Sequence, residues 1–272
     1  MSLAYLNNGA TSFAAANWDD AAGFTTNAEL VAKVTATITA GLDQSAVVTG
    51  INRLLIPRLS TGSIGTAVQG ALIVDIDDVV GEWSSANPTR ARLEVFAAGG
   101  QYYFRAGGGS STISNTFIDT QASVFFGGGT FTTTRHSSGT LAIDATTILG
   151  TFWIWGPASV VIEPRATSLT TFNSLGGNSL VMRAATTVNI YGGVYRLSHT
   201  VGTTTTVNIY GGTLIHEAGD ITTVNGFAGE YRPVLARAAT IATFNRELPF
   251  RFSRSDPLLT ITNDIRFNAG IV

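Results

Sequence analysis

The chain has 272 residues, 12% of them charged, with 30 glycines, no cysteine and a formal net charge of -2. Its basic residues are almost all arginine, Lys33 being the one lysine, and they form no tract, which argues against nucleic acid or an anionic membrane surface as partner. The lack of cysteine excludes disulfides, thiolate nucleophiles and zinc-thiolate centres.

Low charge combined with abundant glycine and threonine reads as many short strands and tight turns. Disorder is disfavoured because Ile, Val, Leu and Phe recur between the glycines and the mean hydropathy is positive. Met1 to Tyr5 carry no positive n-region or apolar run, so no conventional secretion signal is expected there. No stretch reaches the roughly 18 apolar residues of a membrane helix.

Residues 1–27 read as a polar arm with aromatic anchors at Phe13 and Trp18, expected to contact a partner subunit because it holds too little apolar content to fold alone. Residues 28–105 read as an N-terminal β region, either part of the main body or a separate β domain. Near its start, residues 29–34 could form a helical turn capped by Asn27, whereas Val34 to Thr39 alternate as a strand. Further strands are predicted over 51–56, closed by Pro57, over 70–80, over 91–97 and over 101–105. In the second of these, Leu72, Val74 and Ile76 face one way and Ile73, Asp75 and Asp77 the other.

From about residue 106 the chain becomes a succession of apolar strand-length pieces separated by glycine, and residues 106–229 are predicted to form a parallel β-solenoid in an all-β protein. The central signal is a duplication: Val188-Asn189-Ile190-Tyr191-Gly192-Gly193 recurs as Val207-Asn208-Ile209-Tyr210-Gly211-Gly212, offset by 19. Val224 to Phe227 read as a decayed third copy and Leu169 to Phe172 as a weak earlier one. In stacked rungs Val188 should lie under Val207 and Ile190 under Ile209, about 4.8 Å apart. Asn189, Tyr191, Asn208 and Tyr210 would then point outward, with the two tyrosines stacked. The paired glycines would make the corners. Residues 230–272 regain charge and read as a C-terminal cap or last rungs, with strands over Ile241 to Phe252 and Leu258 to Phe267 and arginines placed for inter-subunit pairs.

Candidate sites carry competing explanations. Asp75, Asp77 and Asp78, with Glu82, form the densest acidic cluster. Asp75 and Asp77 share a strand face about 7 Å apart, a spacing compatible with a glycosidic acid–base pair or a cation site, although a solvated turn or a subunit contact is the ordinary explanation. His136, His199 and His216 lack metal-ligand spacing and read as polar corner residues. In Phe152-Trp153-Ile154-Trp155 the alternation puts both tryptophans on one face. That pair, like Tyr191, Tyr210 and Trp18, reads as an inter-subunit contact, a core element or a glycan platform. No catalytic residue, metal ligand or cofactor is expected, since nucleophile elbow, phosphate loop and dinucleotide patterns are all missing.

Asn17 to Phe24, Leu59 to Thr66 and the Ile-Tyr-Gly-Gly rungs ending at Gly193 and Gly212 resemble virion structural proteins of tailed bacteriophages that carry Gly/Thr-rich β-solenoid regions. The resemblance implies a virion location, a homotrimer, and capsid or tail proteins as partners. It points first to a non-enzymatic decoration or cement protein that stabilises the capsid shell. The alternative is a tail fibre or tailspike that binds or cleaves host carbohydrate. Between 106 and 216 only Asp119, Asp144 and Glu163 supply carboxylates, which weighs against the cleaving version.

Overall fold

In the computed structural model the described residues are 3–5, 7–10, 19, 29–38, 53–64, 92–104, 112–127, 129–143, 147–164, 166–253 and 256–267. They form an all-β protein with a parallel β-solenoid body and no helix. The chain divides into two compact units, Met1–Leu149 and Gly150–Val272. The strand predicted over 70–80 lies outside the described residues.

The first unit contains β1 (Leu3–Tyr5), β2 (Glu29–Val31), β3 (Thr37–Ile38), β4 (Arg53–Ile56), β5 (Ser63–Ile64), β6 (Arg92–Val95), β7 (Gln101–Phe104), β8 (Thr112–Phe126) and β9 (Gly129–Ile143). One face runs β1-β2-β4-β6-β8-β9 and a second runs β3-β5-β7-β8-β9, every pair parallel. The strands of 28–105 therefore stack directly into β8 as rungs, and residues 29–31 are strand, not helical turn. The described start of the 1–27 segment joins the same sheet through β1, and the Asp19 carboxylate accepts the Tyr5 N–H at 2.7 Å. Alternation along each strand sends one set of side chains inward. Ile56, Val95, Ile118 and His136 make one fully buried column, and Phe104, Phe126 and Ile143 another.

The unit division falls within β10 (Thr147–Ile154). There follow β11 (Ser159–Ile162), β12 (Ser168–Ser174), β13 (Asn178–Val181), β14 (Ala185–Ile190), β15 (Val194–Ile209), β16 (Thr213–Gly226), β17 (Glu230–Pro233), β18 (Ala239–Glu247), β19 (Arg251–Phe252) and β20 (Leu259–Phe267). One face of the second unit runs β12-β14-β15-β16-β18-β20 in parallel and the other runs β11-β13-β15-β16-β17-β19. The duplicated hexapeptides stack as the sequence predicts: Val188 pairs with Val207, Asn189 with Asn208 and Ile190 with Ile209. Phe172, Val188, Val207, Val224 and Phe244 form one inward column with no solvent exposure. Each such side chain contributes about 1.5–3 kcal/mol by leaving water.

At the positive-φ corner positions Gly193 and Gly212 only glycine fits. Gly193 has φ +76°, and a Cβ there would lie 2.5 Å from the Gly177 carbonyl oxygen; Gly212, at φ +70°, would meet the Gly193 oxygen at 2.6 Å. Successive rungs thus pack backbone on backbone at this edge. At the C-terminal end of the second unit, β18, β19 and β20 are the last described strands to join the stack. Arg246 pairs with Asp264 within the chain, its Nε donating to Oδ1 at 2.9 Å, while its guanidinium lies 4.7 Å from the Phe252 ring centre. A half-buried arginine over an aromatic ring is held by stacking as well as charge.

Candidate interaction face

The outward side of the β12-β14-β15-β16-β18 face is a set of ladders. Asn245 Nδ2 donates to Asn225 Oδ1 at 2.7 Å, Asn225 to Asn208 at 2.8 Å, Asn208 to Asn189 at 2.8 Å and Asn189 to Asn173 at 2.9 Å. Every amide points the same way, giving one unidirectional chain of side-chain hydrogen bonds along the solenoid. Intervals of 20, 17, 19 and 16 residues separate these asparagines. Equal spacing is therefore not what aligns them; the parallel register is. Two residues earlier in each rung, Thr171, Thr187, Thr206, Thr223 and Thr243 stack as a second uncharged row. Identical side chains in register reproduce one favourable contact in every rung.

Two residues after Asn173, Asn189, Asn208 and Asn225 lies a third row, whereas Glu247 follows Asn245. The N–H of Leu175 donates to Ile154 O, that of Tyr191 to Ser174 O, that of Tyr210 to Ile190 O and that of Phe227 to Ile209 O, all at 2.7–2.9 Å. This shared bond places Trp155, Leu175, Tyr191, Tyr210 and Phe227 at one position of successive rungs. Tyr191 and Tyr210 stack with ring centres 4.9 Å apart and planes 8° from parallel, and Tyr210 and Phe227 do the same at 4.9 Å and 5°. Leu175 and Tyr191 are each 48% exposed and Tyr210 43%.

The structure therefore brings Tyr191, Tyr210 and Trp155 into one row. Trp153 sits two residues before Trp155, at the position the asparagines occupy in later rungs, and both tryptophans are half-buried while Phe152 and Ile154 are fully buried. Trp18, Asp75, Asp77 and Asp78 lie outside the described residues. Phe227 closes the decayed third copy read from the sequence, whereas Leu175, Asn173 and Asn245 were not singled out there. The available signal was a large side chain followed by two small residues, as in Leu175-Gly176-Gly177 and Phe227-Ala228-Gly229.

The histidines occupy corners, as expected, yet all three point inward and none is exposed. Each stands three residues before a positive-φ glycine: His136 before Gly139, His199 before Gly202, His216 before Gly219. His216 Nε2 donates to the Gly219 carbonyl at 2.6 Å, which leaves Nδ1 to accept from Tyr231 Oη, also at 2.6 Å. His136 Nε2 donates to the Ser138 carbonyl at 2.9 Å. Burial is the main cause that holds His136 and His216 down to about 4, and it also lowers His199. The imidazoles are thus neutral corner braces. The H-x-x-G spacing, visible three times, was the signal for them.

In the first unit a groove of about 230 Å³ is lined by Arg58, Ala97, Asp119, Thr120, Gln121 and Ser138, among others. Asp119 is engaged at both oxygens, by Arg58 Nη2 at 3.0 Å and by the Ser138 hydroxyl at 2.6 Å. His136 meets the Ser138 carbonyl and not its hydroxyl, so these groups form a clamp and not a nucleophile–base relay. Among the described residues no helix is long and apolar enough to cross a membrane, and no cluster of three His, Asp or Glu is placed to hold a metal.

No protein-family model, curated protein or solved structure matches this chain.

Proposed function

We propose that this protein is a non-enzymatic structural component of a virion, most simply a homotrimeric capsid decoration protein that stabilises the shell by covering area between neighbouring subunits. The observation that carries this reading is the ladder face, with its Thr and Asn rows and its exposed row of Leu175, Tyr191 and Tyr210 continuing into half-buried Phe227. Aromatic side chains on a rigid, weakly charged surface suit a protein partner, because they add apolar contact with little rotamer entropy to lose. Their stacking also matters. Rings that cover one another's faces offer edges to an incoming group, whereas a sugar ring needs a free aromatic face.

Light scattering at micromolar concentration tests the assembly; the expected mass is three chains, and a strictly monomeric protein overturns the trimer. A Tyr210→Asp variant should weaken capsid binding at least tenfold if this face makes the contact.

A second reading, a fibre or spike that binds host carbohydrate, draws on Trp153 and Trp155, which lie outward on adjacent rows. Glycan binding abolished by Trp155→Ala would support it.

A further inference from the structure

Tyr191 and Tyr210 differ from the other tyrosines of the second unit. Tyr195 and Tyr231 are fully buried, while Tyr191 and Tyr210 are close to half exposed. Their ring centres are 4.9 Å apart and their planes 8° from parallel. That separation is the parallel strand repeat of about 4.8 Å. One phenol is therefore nearly a translated copy of the other, held face to face in register. The alignment is fixed from below: Ile190 pairs with Ile209, Tyr210 N–H donates to the Ile190 carbonyl at 2.8 Å, and tightly packed glycines follow in both rungs. On either side the phenol pair ends, with Leu175 in the rung before and Phe227 in the rung after, neither bearing a hydroxyl.

We infer that Tyr191 and Tyr210 are an oxidative modification site, at which a peroxidase-type one-electron oxidant with hydrogen peroxide joins them as an intramolecular dityrosine. Each phenol gives up one electron and its hydroxyl proton to become a phenoxyl radical, with unpaired spin shared onto the ring carbons ortho to oxygen. A carbon–carbon bond forms between one Cε of each ring. The two coupled carbons then lose their hydrogens as the rings regain aromaticity, and the oxygens are reprotonated. The net change is loss of two ring hydrogens, taken up as one hydrogen peroxide is reduced to two waters. Exposure supplies access to the oxidant and room for the rings to tilt together. The product ties one rung covalently to the next in a chain with no cysteine.

The test treats the full-length protein at low micromolar concentration with a haem peroxidase and hydrogen peroxide, followed by tryptic digestion and mass spectrometry. Cleavage after Arg183, Arg196 and Arg237 places Tyr191 on the peptide 184–196 and Tyr210 on the peptide 197–237. The expected result is a covalent pair of these peptides, lighter by two hydrogens than their sum, recovered from protein of unchanged chain mass. Tyr191→Phe and Tyr210→Phe keep the ring stack, and each should lower the yield of that pair at least tenfold. Unfolding wild-type protein in urea before oxidation should lower it similarly, because register is what holds the phenols together. Absence of the linked peptides, their recovery only from covalent dimers, or an undiminished yield of a 184–196/197–237 pair in either Phe variant would overturn the inference.

Discussion

The two units solve the same stacking problem with different outer surfaces. Both build inward columns of alternating apolar residues, Ile56-Val95-Ile118 in one and Val188-Val207-Val224 in the other. Both also brace corners with a buried histidine ahead of a positive-φ glycine. Among the described residues, only those of the second unit repeat the outward face residue for residue, through rows of Thr, Asn and aromatic side chains. In the first unit the outward neighbours Phe117 and Arg135 differ in kind and meet in a cation–π contact at 5.1 Å. Inward apolar alternation and glycine corners are thus what the solenoid requires. The outer ladders are an addition, and this is why the function is sought there.

The largest expected effect comes from attacking a shared requirement. Gly193→Ala places a side chain on a positive-φ backbone and against the Gly177 carbonyl at 2.5 Å, whereas at Gly202 (φ +80°) the nearest obstacle is the Ala184 Cβ at 3.2 Å. Gly193→Ala should cost on the order of 4 kcal/mol and Gly202→Ala about 1–2 kcal/mol, read from urea unfolding midpoints. Equal losses would mean that corner packing is unimportant.

The next effect is acid sensitivity, which both units share. Unfolded histidine titrates near 6.5, while folded His136 and His216 titrate near 4. Between those values the unfolded chain binds the extra protons. Stability is therefore full above about pH 6.5, declines as pH falls toward 4, and loses nothing more from these groups below that. Each contributes on the order of 3 kcal/mol over the window. Replacing both by Gln should flatten the dependence of the unfolding midpoint on pH between 6.5 and 4.

The smallest effect separates the units. Asn208→Ala removes two amide–amide bonds and Asn173→Ala removes one, with expected losses of about 2 and 1 kcal/mol by thermal or urea unfolding. Thr133→Ala, on the outward side of the first unit where Thr133 pairs with Asn115 and the described residues show no amide ladder, should change stability by less than about 0.5 kcal/mol. A cost at Thr133 matching that at Asn208 would erase the distinction drawn between the two surfaces.

Much of the fold is legible in the sequence because it depends on period two and on glycine. Alternation identifies Val188, Ile190, Phe152 and Ile154 as inward without knowledge of their neighbours, and the hexapeptide duplication fixes the register of one pair of rungs. The rest is carried by distances in space. Rungs differ in length because their arcs absorb extra residues, as at the irregularities between Leu197 and Thr203 in β15. No sequence interval therefore announces that Asn173 and Asn245 belong with Asn208, or that Trp155 heads the row of Tyr191 and Tyr210. Direction is hidden too: a histidine beside polar residues reads as exposed until the corner is closed and its ring is found bonded to the glycine turn.

The sequence by itself determined an all-β chain, the inward columns, the glycine corners and the stacking of Tyr191 on Tyr210, since each follows from local side-chain chemistry. Only the tertiary structure decided that five asparagines form one amide chain, that three histidines are buried braces and that Arg246 serves its own chain through Asp264. These depend on which rungs become neighbours, and that is settled by closing arcs of unequal length onto a common parallel register.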